Sequence, residues 1–239
     1  MKADKRLIVA IDVHSMDKVQ QLVETLGDSV NYYKVGMELF YSVGSQVITY
    51  LRAQGKDVFL DLKLHDIPNT VGQGLATLTG LGVSMLNVHA SGGPAMMKAG
   101  AEAVRKKADE MGIERPKLIA VTVLTSINSA EWSALGYDLD LSKQVVHLAK
   151  LAQQAGLDGV VASPQEAEAI RAICGDEFVI VTPGIRPSGA AINDQSRIAT
   201  PAGALKNGAH QLVIGRPITA AENPRQAVQA ILEEMRDKA

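Results

Sequence analysis

The chain has 239 residues, of which 46% are hydrophobic and 21% are charged, and its formal net charge is -2. A chain of this length and apolar content can bury a large core, and a charge this close to zero gives no basic field that would attract nucleic acid. The longer apolar runs, such as residues 118–124, are too short to span a bilayer, so we expect neither nucleic acid nor a membrane as a partner.

The first residues of the chain indicate where the protein works. A short charged segment, 1–6, leads directly into an apolar run and lacks the long apolar region and cleavage site of a signal peptide. Cys174 is the single cysteine, which excludes an intrachain disulfide and a cysteine metal cluster. These features predict a cytoplasmic protein.

Apolar runs of strand length alternate with segments of helical periodicity along the whole chain. The predicted strands are 7–11, 32–36, 58–60, 84–89, 118–124, 159–162, 178–181 and 211–214. The predicted helices follow Ser15, span 43–55, follow Pro68 and Pro94, span 142–154, open at Ser163-Pro164, and start near Pro224. An insertion around 128–140 separates the fifth strand from its helix.

This order of elements predicts a (β/α)8 TIM barrel. The eight strand–helix units recur at intervals of roughly 29 residues, which suits a barrel of about 250 residues. Strands that are continuously apolar fit a parallel sheet buried on both faces. Because no linker-like or low-complexity segment divides the chain, we expect one domain covering 1–239. A doubly wound open sheet is the alternative, since the number of units alone does not prove closure.

The stretch Asp61-Leu62-Lys63-Leu64-His65-Asp66 carries the strongest chemical signal. It follows an apolar strand, and residues i and i+2 of a strand point the same way, so Asp61 and Lys63 should lie together. A D-x-K pair by itself is usually a surface ion pair of little energetic value. At the carboxyl end of a buried parallel strand, however, charges are costly and active sites collect, which favours a functional site.

Polar residues also follow the other predicted strands. The exits carry Asp12, Lys34, His89, Thr125, Arg186, Gly215 and Arg216. Loops after strands 7 and 8 of such barrels often bind phosphate through backbone N–H groups. Arg216 offers bidentate contact beside a glycine that permits close approach. The long loop 183–195, with Arg186 and Gln195, has the composition of a lid over an anion.

The charged stretch could also hold a metal ion or provide a Schiff-base lysine. Asp61 and Asp66 with another acid could hold Mg²⁺, but the cations of Lys63 and Lys34 occupy the space that a metal would neutralise. A Schiff-base aldolase requires a lysine of lowered pKa, whereas neighbouring carboxylates favour a charged ammonium. A fixed ammonium is suited to stabilising a carbanion and then protonating it.

At this point the residues resemble a known family. The run Asp61-Leu62-Lys63-Leu64-His65-Asp66-Ile67-Pro68 resembles the signature of the orotidine 5′-phosphate decarboxylases. The resemblance extends over the chain through matching segments at 10–12, 34–36, 121–126, 182–186 and 215–218. It implies a homodimeric TIM barrel that converts orotidine 5′-monophosphate to UMP and CO₂, the last step of de novo pyrimidine synthesis, with no metal and no organic cofactor.

The resemblance also implies a role for each matching residue. The catalytic set would be Lys34, Asp61, Lys63 and Asp66, with the last aspartate contributed by the neighbouring subunit. Asp12 and Lys34 would contact the ribose, as would Asp66 and Thr70 of that subunit, and Thr125 would face the pyrimidine. The phosphate would be held by Arg186, Gln195, Gly215 and Arg216.

Two further hypotheses stay open on the sequence. One is a metal-dependent sugar-phosphate lyase of the same superfamily, which shares the D-x-K-x-x-D motif but places an acid at the position of Lys34. The other is a phosphate-ligand binding protein that has kept the barrel and lost the chemistry. Retention of the whole set Lys34, Asp61, Lys63 and Asp66 argues against the second hypothesis.

Overall fold

The structure is a computed structural model and describes residues 3–187 and 199–236. Its strands are β1 Leu7–Ile11, β2 Tyr32–Gly36, β3 Asp57–Leu64, β4 Met85–His89, β5 Lys117–Val121, β6 Gly159–Val161, β7 Val179–Thr182 and β8 Gln211–Ile214. They pair in parallel in chain order, and β8 pairs back to β1, so the sheet closes into a barrel. The predicted (β/α)8 barrel is confirmed, and the open doubly wound sheet is excluded.

Helices connect and surround these strands. They are α1 Met16–Leu26, α2 Met37–Val43, α3 Gln46–Ala53, α4 Pro68–Thr79, α5 Gly93–Met111, α6 Ser129–Ala134, α7 Leu141–Gln154, α8 Ala167–Cys174, α9 Pro201–Lys206, α10 Arg216–Thr219 and α11 Pro224–Arg236. Two short 3-10 turns cover Gly27–Ser29 and Ala90–Gly92. In the described part of the chain, no helix combines the length and the apolar character needed to cross a membrane.

Some element boundaries differ from the predicted ones. The helix expected over 43–55 is α3, which begins only at Gln46. The chain turns at Gly44 with φ 68°, and the residues before this turn form a further helix, α2, that was not predicted. The helix after β6 begins at Ala167, not at Pro164. Strand β5 ends at Val121 although its apolar run continues to Leu124, because the last residues of that run line a cavity outside the sheet.

Alternate residues of the strands fill the interior of the barrel. A separate buried cluster contains one or two apolar residues from most strands, among them Ile8, Tyr32, Phe59, Met85, Ile119, Val179 and Val213. Their neighbours along each strand, such as Leu7 and Leu60, belong to the larger core that packs against the helices. Since side chains alternate across a strand, this pattern gives a filled barrel, not a pore.

The same alternation places polar side chains at the top of this interior. Lys34 stands two residues beyond Tyr32, and Asp61 stands two residues beyond Phe59. Asn87 is likewise two residues beyond the buried Met85 on β4. The carboxyl ends of three adjacent strands therefore direct polar groups toward one point above an apolar floor.

The opposite end of the barrel is built differently. A cavity of about 720 Å³ lies there, lined by residues at the starts of the strands. Its charges are largely tied to each other: Arg115 pairs with Asp158 at 2.6 Å, and Arg52 lies 3.6 Å from Asp57. Ion pairs that join neighbouring elements at this end are typical of the stabilising face of such barrels.

Gly159 offers a test of the barrel register. It lies opposite Val179 on β7, and a Cβ at this position would overlap the carbonyl oxygen of Val179 and lie 2.7 Å from its Cβ. We expect Gly159→Ala to lower the free energy of unfolding by about 3 kcal/mol, because backbone on both strands must move. Urea denaturation followed by circular dichroism measures the change.

Gly72→Ala in α4 is the matched control. The added methyl would lie 3.6 Å from the nearest atom, which is an ordinary contact. Because alanine also favours the helix, the variant should be as stable as the parent or about 1 kcal/mol more stable. Equal stability of the two variants would contradict the close packing of β6 on β7.

Candidate active site

The polar groups at the carboxyl ends of the strands surround a cavity of about 270 Å³. Its floor is apolar and includes Phe59, Val161 and Val213 from the barrel interior. Its charged wall contains Lys34, Asp61 and Lys63, and Thr125 lies on the opposite side after β5. The cavity thus offers an apolar base for a flat ring and a strongly charged side.

Asp61 is the centre of the charged wall. Its Oδ1 lies 2.7 Å from Lys63 Nζ, and its Oδ2 lies 3.3 Å from Lys34 Nζ. Lys34 Nζ is also 3.5 Å from Asp12 Oδ1, so four charges of alternating sign form one chain from β1 to β3. Asp61 itself is only 7% exposed. The structure thus brings Asp12, Lys34, Asp61 and Lys63 together at the carboxyl ends of β1 to β3.

Burial and neighbouring charge act in opposite directions on these groups. Burial alone would raise the pKa of Asp61, but Lys34, Lys63 and the hydrogen bonds that it accepts outweigh burial and lower that pKa. Burial alone would lower the pKa of Lys34, but the carboxylates of Asp61 and Asp12 raise it above its ordinary value. Both groups are therefore held in their charged forms at neutral pH.

The backbone at Lys63 is not that of a regular strand, so simple alternation of side chains does not account for its contact with Asp61. Its φ is 54°, the one positive φ of a non-glycine residue within 3–187 and 199–236. The register between β3 and β4 shifts here, since a step of four residues from Leu60 to Leu64 on β3 matches a step of two residues from Leu86 to Val88 on β4. This bulge turns the end of β3 inward and directs the ammonium of Lys63 over the cavity.

Two glycines make room for the charged chain. A Cβ on Gly36 would lie 3.0 Å from Lys34 Nζ, and one on Gly215 would lie 3.3 Å from Asp12 Oδ2. Both distances are tighter than ordinary van der Waals contact. Side chains at these positions would displace the ion pairs, which explains glycine at the last position of β2 and immediately after β8.

The residues predicted to bind phosphate follow β7 and β8, at the same carboxyl end of the barrel. Arg186 is buried, and its Nη1 donates to the carbonyl of Ile185 at 3.0 Å. Gly215 precedes α10, whose first residue is the exposed Arg216. Gln195 and most of the predicted lid lie outside the described residues.

Asp66 and Thr70 do not join the charged chain. Both are exposed, Asp66 in the loop after β3 and Thr70 in the first turns of α4. Asp66 Oδ1 accepts a hydrogen bond from the backbone N–H of Ile67 at 2.6 Å. Among the residues that the structure describes, one chain therefore brings together four members of the predicted site and leaves these two at the surface.

Sequence reasoning missed Asn87. Its side chain is fully buried on β4 and contacts both the Asp61 carboxylate and the backbone of Lys63. The available signal was an amide within the apolar run Met85-Leu86-Asn87-Val88, since asparagine is rare in strands and costly to bury unpaired.

His89 and His65 lie next to this cluster. Their ring centroids are 5.7 Å apart. Burial lowers the pKa of His89, and the neighbouring His65 and Lys63 side chains lower it further. His89 is therefore predominantly neutral at pH 7 and adds no cation to the cavity wall.

The closed barrel and the chain of alternating charges at its carboxyl mouth define a TIM-barrel enzyme. The family model described as "Orotidine 5'-phosphate decarboxylase / HUMPS family" matches residues 5–231, and the chain belongs to that family. The family expected from the sequence motifs is confirmed.

Relatives and solved structures support this assignment over nearly the whole chain. The orotidine 5'-phosphate decarboxylase of Trichlorobacter lovleyi is 50% identical over 234 residues, covering 98% of this chain and 96% of the relative. That of Carboxydothermus hydrogenoformans is 51% identical over 231 residues, covering 97% and 96%. The crystal structure of the Lactobacillus acidophilus enzyme superposes with a TM-score of 0.86 at 42% identity, covering 98% of this chain and 100% of that one.

Substitution of Lys34 tests the electrostatic coupling in the site. Lys34→Met keeps most of the side-chain volume and leaves Asp61 with Lys63 as its remaining cation, so we expect the free energy of unfolding at pH 7 to fall by roughly 2–3 kcal/mol. The folded-state pKa of Asp61 is depressed below its ordinary value of 3.8. The stabilisation that its charge provides is therefore present above that value and is lost as the pH falls through the folded-state pKa.

The wild-type protein consequently loses in acid a stabilisation that the variant keeps only in part, through Lys63. The difference in free energy of unfolding between the two should stay constant from pH 7 to about pH 4 and narrow below that pH, measured by urea denaturation at each pH. Lys106→Met, which removes an exposed ammonium on α5, is the control and should cost little at either pH. If the difference in free energy of unfolding between wild type and Lys34→Met does not change with pH, the coupling between Lys34 and Asp61 is contradicted.

Proposed function

We propose that this chain decarboxylates orotidine 5′-monophosphate to UMP and CO₂, the last step of de novo UMP synthesis. The observation that carries the proposal is the Lys34–Asp61–Lys63 network above an apolar floor, in a chain that belongs to the decarboxylase family. A pyrimidine ring fits such a floor, and the fixed ammonium of Lys63 stands where charge develops.

The chemistry requires a cation in a fixed position. When the bond between C6 and the carboxyl carbon breaks, CO₂ leaves and the electron pair stays on C6, where no adjacent carbonyl delocalises it well. Lys63 stabilises that carbanion and then transfers a proton from Nζ to C6, which gives UMP and a neutral amine that regains its proton from water. Lys63 is already oriented by Asp61 at 2.7 Å, so little reorganisation is needed during the reaction.

The other residues bind and orient the substrate. Lys34 holds Asp61 and, with Asp12, contacts the ribose, while Thr125 faces the pyrimidine. Arg186, Gln195, Gly215 and Arg216 bind the phosphate. The phosphate lies far from the bond that breaks, yet its binding energy can close the loop after β7, exclude water and assemble the site.

The active site is shared between two subunits of a homodimer. In this arrangement Asp66 and Thr70 of the neighbouring subunit complete the charged chain and the ribose site. The proposal is supported by apolar side chains exposed around the loop that carries Asp66: Ile67 is 65% exposed, and Tyr41 is 71% exposed. Tyr41 and His65 line one surface cavity, and Leu135 and His65 line another, so the exposed apolar groups adjoin one another.

We also place the protein in the cytoplasm as a single domain over 1–239. One barrel accounts for all the described strands, and an enzyme of nucleotide synthesis needs its phosphorylated substrate from the same compartment.

The metal-dependent lyase of the same superfamily is less well supported. Lys34 lies between the carboxylates of Asp12 and Asp61, at 3.5 and 3.3 Å. An ammonium at that position supplies the positive charge that a divalent cation would otherwise supply, and it would repel such a cation.

The direct test is turnover of orotidine 5′-monophosphate. Purified protein should convert it to UMP, followed by ultraviolet absorbance, at the same rate with and without EDTA. Lys63→Ala is the matched negative control, and it should reduce kcat by at least about 10⁴-fold because it removes both the stabilising charge and the proton donor. Loss of turnover on adding EDTA would support the lyase, and UMP binding without turnover would support a binding protein.

The shared site makes a separate prediction. Lys63→Ala and Asp66→Ala should each be inactive alone, but a heterodimer of the two has one site with both residues intact. Co-refolding equal amounts with random pairing should restore about one quarter of the wild-type activity. Lys63→Ala mixed with itself after the same treatment is the control. If mixtures that contain heterodimers recover no activity, Lys63 and Asp66 of the same subunit act in one site, and the shared site is wrong.

A further inference from the structure

Asn87 is an unusual residue for its position in the barrel. It is 0% exposed and lies on β4 between Leu86 and Val88, which are also fully buried. An amide in such surroundings is costly unless each polar end has a partner. Ile119, its neighbour in the register with β5, is apolar, so the partners must come from β3.

Both ends of the Asn87 amide are used by the charged stretch of β3. Its Oδ1 accepts a hydrogen bond from the backbone N–H of Lys63 at 2.8 Å. Its Nδ2 donates to Asp61 Oδ1 at 2.7 Å. The orientation of the amide is fixed by chemistry, since a backbone N–H can only donate and a carboxylate can only accept.

These bonds lie at the β3 bulge. The ordinary ladder between β3 and β4 is interrupted from Leu60 to Leu64, and Asn87 sits opposite the interruption. The side chain of Asn87 therefore supplies the partner that the backbone N–H of Lys63 would have found in a regular ladder. The same hydrogen bond holds the backbone of Lys63 at φ 54°, a conformation that residues other than glycine rarely adopt.

We propose that Asn87 is a positioning residue that sets the placement of the Lys63 ammonium relative to the Asp61 carboxylate. One amide fixes the backbone from which Lys63 extends and, at the same time, the oxygen that the ammonium contacts. The proposal rests on the proposed role of Lys63 as the group that stabilises and protonates C6. Asn87 does not contact the substrate in this scheme and acts only through Asp61 and Lys63.

Asn87→Asp is the informative substitution. It keeps the shape of the side chain, and one oxygen can still accept from the Lys63 N–H. The other oxygen replaces a donor at 2.7 Å from Asp61 Oδ1, so two carboxylates face each other. Such a pair readily holds one proton between its oxygens, which restores the hydrogen bond, and loses it at higher pH, when the two charges repel.

Among the residues that the structure describes, the titratable groups near Asn87 are Asp61 and Lys63 on β3, Lys34 on β2 and His89 on the same strand. They are present in both the parent and the variant. The ratio of their kcat values at each pH therefore isolates the new carboxylate from the other groups and from the substrate phosphate.

The experiment measures kcat and KM for wild type and Asn87→Asp between about pH 5 and pH 9. The ratio of variant to wild-type kcat should fall by about tenfold or more across that range, because the pair loses its proton. KM should change by less than about threefold, since misplacement of a reacting group acts on kcat while the phosphate contacts stay intact. Asn207→Asp is the control, because it adds the same charge at an exposed amide away from the site.

A ratio that is constant over pH, whether near one or far below it, would overturn the proposal. If Asn87→Asp does not fold, Asn87→Ser answers the same question, because its shorter hydroxyl reaches one partner at most. Its kcat should fall by at least about tenfold with KM nearly unchanged, and an unchanged kcat would overturn the proposal. Because wild-type turnover is measured in the same series, an inactive wild-type protein would refute the proposed function and not the role of Asn87.

Discussion

The arrangement of charged residues at the carboxyl end of the barrel depends on one buried carboxylate, that of Asp61. Lys34 from β2, Lys63 from the end of its own strand and Asn87 from β4 all converge on its two oxygens. A carboxylate this buried would be protonated without them, and each ammonium would be costly without the carboxylate. The three strands must therefore pair in the observed register, since a shift of one residue would turn Lys34 or Asn87 toward the helices.

Much of the barrel and most of the charged chain could be predicted from sequence for the same physical reason. A parallel strand buried on both faces is continuously apolar, so a polar residue at or near its end stands out and lies at the functional end. Asp12 and Asp61 follow such apolar runs, and Lys34 is a charged residue inside one. The predicted strand lengths were wrong where apolar residues line the cavity and do not belong to the sheet. Val123 and Leu124, beyond the end of β5, are examples.

The parts that could not be predicted depend on contacts between elements. The positive φ of Lys63 is stabilised by a side chain 24 residues away, so no local pattern around Lys63 indicates it. Asn87 lies inside an apolar run and not at its end, so a search of strand exits passes over it. Asp66 lies at the surface and accepts a hydrogen bond from the backbone N–H of Ile67, so nothing within one chain indicates the role that we propose for it.

The filled interior of the barrel governs how the enzyme resets between turnovers. Below Asp61 the interior of the barrel is filled by buried apolar side chains such as Ile8, Phe59 and Met85. With Lys63 as the proton donor, the proton lost in each cycle must return through the opening by which the substrate enters. Under the role that we propose for Lys63, recharging of its amine and departure of the nucleotide use the same opening, so bound product would delay the return of the proton to Lys63.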